Sequence, residues 1–399
     1  MSKHKKASPW EKVRKLFNDV HLWLGLIGGI VIFLICFSGT VYTFSSDIQR
    51  LLEPKLYTTK VAPGAQRLPP EQLVSLVEAH SGGTAVTLTV PDKANHLVSV
   101  GVKQKGKKGR PSNYQINPYS GEIMGISGKG RGSEFFSFMF KLHRWLLMET
   151  DMGRPIVGVA TLMFAFGCLT GLVIWFPKKI KNWRQGLKIK MSGNWKRTNH
   201  DLHNSLGLYS FLLLLIMSLS GLCWSFDWYK EGMSQVLGAK VFGNRGAKAP
   251  EASFAEGATP LSLQQLIQLG NQHITYTGDL RLSFPEEPTE SLTITKAKKG
   301  FITSAGSDKL YLNPYTGEVL QLERFSDKPL NVQVAQSMRS IHVGDIFGTF
   351  SKIIYFLACL IATSLPVTGV LIWWNKLKKK TKKRRSKKLK PTIEMAAVD

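Results

Sequence analysis

Cysteine and acidic residues are both scarce in this sequence. Its 399 residues include only 4 cysteines, all within long apolar runs, where their expected role is helix packing. The absence of any C-x-x-C pair argues against zinc clusters, thiol redox pairs and covalently attached c-type haem. Asp and Glu number 27 against 53 Lys and Arg. No nucleic-acid-binding motif accompanies this basic excess, so we expect no nucleic-acid partner.

Long uncharged runs dominate what is present. They cover residues 22–46, 156–176, 203–226 and 353–374. A helix of about 20 apolar residues crosses about 30 Å of hydrocarbon. The sequence therefore predicts an α-helical polytopic membrane protein with a four-helix transmembrane bundle, and it excludes a soluble enzyme.

Basic residues are concentrated in the short segments that flank these runs. Segments 1–20, 177–204 and 375–399 carry six, eight and eleven Lys and Arg. The positive-inside rule predicts that they are cytoplasmic and that both long connections lie outside. The polybasic flanks also suit contact with an anionic lipid bilayer. The predicted order is a basic N-terminus at 1–20, spans at 21–46, 153–177, 203–227 and 350–375, outside domains at 47–152 and 228–349, an interfacial segment at 133–148, a basic loop at 178–202 and a basic tail at 376–399.

The sequence contains an internal repeat. The matching pairs are His21-Leu-Trp-Leu-Gly25 with His203-Asn-Ser-Leu-Gly207, Asn117-Pro-Tyr-Ser-Gly-Glu122 with Asn313-Pro-Tyr-Thr-Gly-Glu318, Leu142-His143 with Ile341-His342, and Thr170-Gly171 with Thr368-Gly369. Because the pairs occur in the same order, we predict a duplicated unit of span, outside domain and span.

Each long connection has the pattern of an α+β domain. In the first, apolar spacing predicts a helix at 71–80, and alternation predicts strands at 86–90 and 97–102. In the second, the same patterns predict a helix at 261–271 and strands at 280–284, 292–295 and 310–312. The Asn-Pro-Tyr segments predict turns that join short extended runs. Neither connection shows a catalytic triad or a metal cluster.

Two pairs of histidines lie at the ends of the spans. His21 and His203 begin the first and third spans, on the cytoplasmic side, whereas His143 and His342 precede the second and fourth spans, on the outer side. An ionisable side chain at a membrane span is costly without a partner, so we interpret both pairs as functional. His200 lies three residues before His203. It is therefore an alternative to His203 as the functional histidine of that span on the cytoplasmic side.

Paired imidazoles in a helix bundle suit a metal ion. Zinc would require four ligands, and the cytoplasmic face offers only three histidines and no cysteine. Bis-histidine haem fits better, and its filled axial positions favour electron transfer over oxygen chemistry. We predict two non-covalent haem b groups, the inner one on His21 and His203 and the outer one on His143 and His342. Arg144 and Arg339, near the outer histidines, are candidate partners of the haem propionates.

The chain resembles the PepSY-associated transmembrane-helix family, bacterial inner-membrane proteins that include ferric-siderophore reductases. The resemblance is carried by Leu142-His143-Arg144-Trp145, by His200-Asp201-Leu202-His203-Asn204, by Ile341-His342 and by the two Asn-Pro-Tyr turns, which resemble a PepSY domain signature. It implies four spans, two periplasmic PepSY-type domains and b-type haem. It also implies reduction of ferric siderophore iron to Fe(II) in the periplasm, for uptake.

The electron donor is not visible in the sequence. No Gly-rich dinucleotide loop follows a strand, so we expect a separate flavin reductase, reduced flavin or membrane quinol. Two alternatives to a reductase remain open. A transporter for iron, haem or siderophore would need a polar pathway, but the four apolar cores contain no charged residue. A non-redox PepSY protein that binds a ligand or regulates a peptidase would leave the paired histidines unexplained.

Overall fold

The computed structural model describes residues 8–106, 109–177, 180–243, 249–303 and 306–395. In this part of the chain the α-helices are α1 (Pro9–Tyr42), α2 (Ser45–Leu52), α3 (Pro70–Ser81), α4 (Ser133–Trp145), α5 (Thr150–Trp175), α6 (Trp195–Ser225), α7 (Asp227–Leu237), α8 (Leu263–His273), α9 (Leu330–Gln336), α10 (Met338–Val343) and α11 (Gly348–Met395). The strands are β1 (Thr84–Val90), β2 (Val98–Lys103), β3 (Ser112–Ile116), β4 (Ile123–Ile126), β5 (Leu280–Ser283), β6 (Leu292–Ala297), β7 (Ser307–Leu312) and β8 (Val319–Glu323). Short 3-10 helices cover Pro54–Leu56, Ile180–Gln185 and Phe325–Asp327. The start of the predicted basic N-terminus and the end of the predicted basic tail lie outside the described residues.

Four helices are long and apolar enough to cross a membrane. They are α1, α5, α6 and the part of α11 from Gly348 to Lys379. This confirms the prediction of a polytopic helical membrane protein. α1 begins ahead of the predicted span because Ser8 and Glu11 form a reciprocal capping box and Pro9 occupies the first helical position.

The chain divides into two compact units. The helical unit comprises the described parts of residues 1–43, 139–230 and 354–399, and the sheet unit those of 44–138 and 231–353. In the helical unit, α5 packs against both α1 and α6. Its core contains Leu214, Ala358 and Ala362, with Cys36 and Cys168 packed against them. Both cysteines are free thiols, as the packing interpretation expects.

The sheet unit is built on one antiparallel sheet. Its eight strands in the described residues follow the order β4-β3-β2-β1-β5-β6-β7-β8. The sequence predicts a separate domain for each long connection, but β1 and β5 pair with Leu88 opposite Leu282, which joins both connections in one sheet. The pairing removes two edge strands that would otherwise leave backbone groups unbonded. Helices α3 and α8 share one apolar core with the strands.

The two predicted Asn-Pro-Tyr turns have the same backbone hydrogen bonds. The amide of Gly121 donates to the carbonyl of Asn117 at 3.0 Å, and that of Gly317 donates to the carbonyl of Asn313 at 2.9 Å. Both glycines have φ near +75°, at +72° and +76°, a conformation that disfavours side chains. The turns connect β3 to β4 and β7 to β8.

Candidate functional site

Two of the predicted histidines face each other inside the helical unit. The rings of His21 on α1 and His203 on α6 have centres 6.2 Å apart and planes at 84°. Imidazole–metal bonds are about 2.0–2.1 Å long, so two imidazoles on opposite sides of one metal ion have ring centres roughly 6 Å apart. The observed separation therefore matches that of two ligands to one ion.

Each of these imidazoles is oriented by a threonine on another helix. His21 Nδ1 lies 3.0 Å from Thr170 Oγ1 and 3.1 Å from the carbonyl oxygen of Gly167 on α5. His203 Nδ1 lies 2.8 Å from Thr368 Oγ1 on α11. The orientation of both rings is thus set by hydrogen bonds from their Nδ1 atoms.

The hydrogen bonds of the threonines determine which nitrogen carries the proton. Thr170 Oγ1 donates to the carbonyl of Phe166 at 2.9 Å, and Thr368 Oγ1 donates to that of Ser364 at 3.0 Å. With the one hydroxyl proton on the backbone carbonyl, we assign each threonine as acceptor from the Nδ1–H of its histidine, and the Gly167 carbonyl, which can only accept, requires the same tautomer of His21. Nε2 of both rings is then the lone-pair nitrogen, as ligation of a metal requires.

Small residues beside these threonines let the rings approach the helices. A Cβ atom added to Gly171 would lie 3.3 Å from His21 Cε1, and one added to Gly369 would lie 3.4 Å from His203 Cε1. The Thr-Gly dipeptide therefore combines a hydrogen-bond acceptor with space for the ring, in α5 and again in α11.

A cavity of about 420 Å³ adjoins the two histidines. Its walls come from α1, α5, α6 and α11 and are largely apolar, including Leu22, Ile32, Met163, Phe164, Leu208, Phe211, Leu365 and Val370. Gly25, Gly29 and Gly167 also line it, and an added Cβ at any of them would meet no atom within 4 Å. These glycines keep open space that side chains would occupy.

His200 lines the same cavity in a different environment. Its side chain is 56% exposed, and its Nδ1 lies 3.5 Å from Asp201 Oδ1. Asp201 is buried and accepts a hydrogen bond from Arg197 Nε at 2.9 Å, which forms an ion pair in the N-terminal part of α6. In the structure the ring opposite His21 is that of His203.

The predicted outer histidines belong to different units and are described separately. In the helical unit, His143 Nδ1 lies 2.9 Å from the carbonyl oxygen of Ile35, and the ring lies against Gly39, where a Cβ would be 3.0 Å from it. In the sheet unit, His342 is half-buried near the end of α10. Their pairing stays a prediction from the sequence.

The two arginines proposed as propionate partners also lie in separate units. The guanidinium of Arg144 lies 5.5 Å from the ring centre of Phe140 and 5.3 Å from that of Trp145. Arg339 pairs with Asp345 at 3.4 Å. Their assignment to propionates stays a prediction.

Sequence reasoning did not identify Thr170 and Thr368 as site residues. It used both only as markers of the repeat, although a Thr-Gly pair recurring in two apolar spans was a usable signal. It also missed Asn199, a buried residue whose Nδ2 donates to the carbonyl of Thr368 at 3.1 Å.

The donor set limits which metal the site suits. In the described part of the chain, no group of three or more His, Cys, Asp or Glu side chains could hold a metal ion. Two imidazoles beside an apolar cavity suit a metal ion whose other ligands come from a flat, apolar macrocycle rather than from the protein.

A family model described as the PepSY-associated TM region matches residues 19–376. No curated protein matches the chain.

Proposed function

The chain belongs to the family of the PepSY-associated TM region, and from this premise and the paired imidazoles we propose that it is a membrane oxidoreductase with two haem b groups. Its activity is to pass electrons from the cytoplasmic side or the quinol pool to ferric siderophore iron outside the bacterial inner membrane. Siderophores bind Fe(II) far more weakly than Fe(III), so one electron per iron releases the metal for uptake.

The opposed rings of His21 and His203 carry this proposal. Their 6.2 Å separation suits two side chains that would hold one haem iron between them, and the cavity beside them offers apolar walls and glycines that leave room for a macrocycle. Haem held by His21 and His203 would supply one-electron redox chemistry.

The chain's own residues prepare the ligands. Thr170 and Thr368 accept the Nδ1 protons, which fixes the tautomer and raises the basicity of the ligating nitrogens. The apolar lining would keep water away from a haem held there, which is one way a protein sets redox potential. Asp19, His200 and Lys376 give the cavity a polar end, where we place the approach of the electron donor.

The second haem site is inferred from the sequence repeat. His143 donates from Nδ1 to a backbone carbonyl, as His21 does, and therefore carries its lone pair on Nε2. We assign His143 and His342 as the outer ligands because each precedes an apolar span at the same place in its repeat.

The orientation in the membrane follows from the basic segments. The clusters at 1–20, 178–202 and 376–399 place both termini in the cytoplasm. The sheet unit is then periplasmic, where the ferric chelate would be reduced.

The haem content of the purified chain tests the proposal. From haem-replete cells we expect about two haem b groups per chain by pyridine haemochrome, with a spectrum that changes on dithionite. His21→Ala and His203→Ala should each remove one haem, whereas His200→Ala, a matched change in the same cavity, should leave both.

Two outcomes would contradict the proposal, and a third would correct the ligand assignment. A colourless preparation from haem-replete cells refutes the cofactor. A haem-loaded chain that is chemically reduced but yields no Fe(II) from ferric siderophores, followed with an Fe(II)-specific chelator, refutes the reductase. Loss of the inner haem in His200→Ala but not in His203→Ala reassigns the ligand.

A further inference from the structure

The sheet unit contains a second cavity, of about 730 Å³. It is lined by residues of α3 and α8, of strands β1, β2, β5 and β6, and of the segment after α8. Cavities of roughly 300–1,000 Å³ are the usual size of small-molecule sites. We call it the sheet-unit cleft.

A lysine lines this cleft at a position expected to be apolar. Strands β2 and β6 both begin with a buried residue, Val98 and Leu292, and alternate inward from there. The third inward position of β2 is Val102, which is 1% exposed, whereas that of β6 is Lys296, which is 5% exposed. Burying an ammonium group in a core is costly unless it is compensated, so this lysine requires an explanation.

The partners of Lys296 do not neutralise its charge. Its Nζ donates to Asn271 Oδ1 at 2.9 Å and to the carbonyl of Ile274 at 2.8 Å. Both acceptors are neutral, the ring centre of Tyr276 lies 5.8 Å from Nζ, and within the described residues Lys296 forms no ion pair. Burial lowers the pKa of the Lys296 ammonium, and the carboxylate of Asp92 opposes that shift only in part.

A second cation lines the same cleft. The guanidinium of Arg67 donates to the carbonyls of Pro91 at 3.3 Å and Lys93 at 2.9 Å, again neutral acceptors. The other walls include apolar residues such as Leu68, Leu73, Leu88, Ile267 and Leu280, and polar ones that include Tyr276 and Asp92, so two cations face one carboxylate. The chemistry of the lining therefore suits an apolar body with an acidic group.

We propose that the sheet-unit cleft binds an amphipathic organic anion, whose apolar body lies between α3 and α8 and whose carboxylate pairs with Lys296. A carboxylate supplies the counter-charge that the two neutral acceptors lack, and a charge-assisted bond in a buried place is strong. None of the four proposed haem ligands lines this cleft, so the site is separate from them.

Titration of the full-length chain in detergent with 2-naphthoate tests the proposal. The neutral 2-naphthamide has nearly the same shape without the charge, and calorimetric blanks with empty micelles correct for partition. We expect the wild-type chain to bind naphthoate at least about tenfold more tightly than naphthamide, the ratio that one charge-assisted bond supplies. Lys296→Met should abolish this preference and leave naphthamide affinity unchanged.

Lys298→Met is the matched control. Lys298 follows the same strand, is exposed and does not line the cleft, so its removal deletes the same charge and changes only its contact with the ring of Tyr276, 5.0 Å away. It should keep the wild-type preference. If Lys296 served only to bond the C-terminal end of α8, Lys296→Met would lower the thermal transition temperature but leave the preference for naphthoate intact. That result would overturn the proposal.

A second variant keeps the test decisive if Lys296→Met does not fold. Ile267→Trp fills the apolar part of the cleft and retains Lys296, so it should weaken both naphthoate and naphthamide at least about tenfold. Unchanged binding in Ile267→Trp overturns the proposal. So does absence of naphthoate binding to the wild-type chain at millimolar concentration.

Discussion

The environment of His21 and His203 shows how neighbouring residues orient an imidazole. A histidine in water exchanges between two tautomers. Thr170 donates its own proton to the backbone, so it can bond only the His21 tautomer that has its proton on Nδ1. The same device recurs at His203 with Thr368. Each ring is thereby held in the tautomer that presents Nε2 as ligand.

Replacing Thr170 with valine tests this role. Thr170→Val keeps the shape of the side chain and removes the acceptor of the His21 proton, so we expect haem to be held about 10- to 100-fold less tightly. Transfer of haem to apomyoglobin measures the loss. Thr161→Val is the control, because Thr161 lies on the same helix, outside the cavity lining, and donates to the carbonyl of Val157. Equal haem loss in both variants would contradict the assigned role.

Residue-level sequence reasoning reached the histidines but not their partners. A histidine at the end of an apolar run is conspicuous because its burial is costly. Thr170 is about 150 positions from His21 in the chain, and no local pattern indicates which threonine a distant ring will contact. Only the packing of α5 against α1 decides that contact.

At the scale of elements, the two Asn-Pro-Tyr turns differ in how firmly their asparagines are held. Asn313 is fully buried, and its side chain accepts from the amides of Tyr315 and Thr316 and donates to Ser253. Asn117 is half-buried, and its side chain accepts from Tyr119 and donates to Thr59. The turn between β7 and β8 therefore depends more on its asparagine.

Alanine substitutions test this difference. Asn313→Ala leaves more buried donors and acceptors without partners than Asn117→Ala does. Each such group lowers the free energy of unfolding by about 1–3 kcal/mol. In a unit of this size, each kcal/mol lowers the thermal transition temperature by about 2–4 °C. We expect Asn313→Ala to lower the transition of the detergent-solubilised chain by several degrees more than Asn117→Ala. An equal or reversed order would refute this ranking.

Most elements of the sheet unit follow from local sequence patterns. The predicted helices at 71–80 and 261–271 correspond to α3 (Pro70–Ser81) and α8 (Leu263–His273), because apolar spacing and proline or capping residues are local signals. The pairing of β1 with β5 joins segments about 190 residues apart. No local pattern specifies it, so the sequence suggested two domains where the structure has one sheet.

At the scale of the whole molecule, basic residues are distributed unevenly along the chain. Most of the excess of 53 Lys and Arg over 27 Asp and Glu lies in the short segments that flank the apolar helices. Retention of such segments in the cytoplasm is the physical basis of membrane orientation. In the orientation that we propose from this rule, the sheet unit is periplasmic and the loop between α5 and α6 is cytoplasmic.

Single cysteines introduced into a cysteine-free chain test the orientation. We expect Ala94→Cys and Thr289→Cys, both in exposed loops of the sheet unit, to react with a membrane-impermeant maleimide in intact spheroplasts. Ser192→Cys, in the exposed loop before α6, should react only after the membrane is permeabilised. Labelling of Ser192→Cys in intact spheroplasts would reverse the proposed topology.

The sequence by itself determined four membrane-crossing helices, the α3 and α8 helices, the two glycine-dependent turns and the candidate histidines. Each of these follows from local composition, spacing or charge. The tertiary structure decided that His203 lies opposite His21, that threonines hold both rings, that one sheet unites the two connections and that Lys296 lines a cleft. Those features depend on contacts between distant segments, whose free energy comes from packing that only the assembled chain possesses.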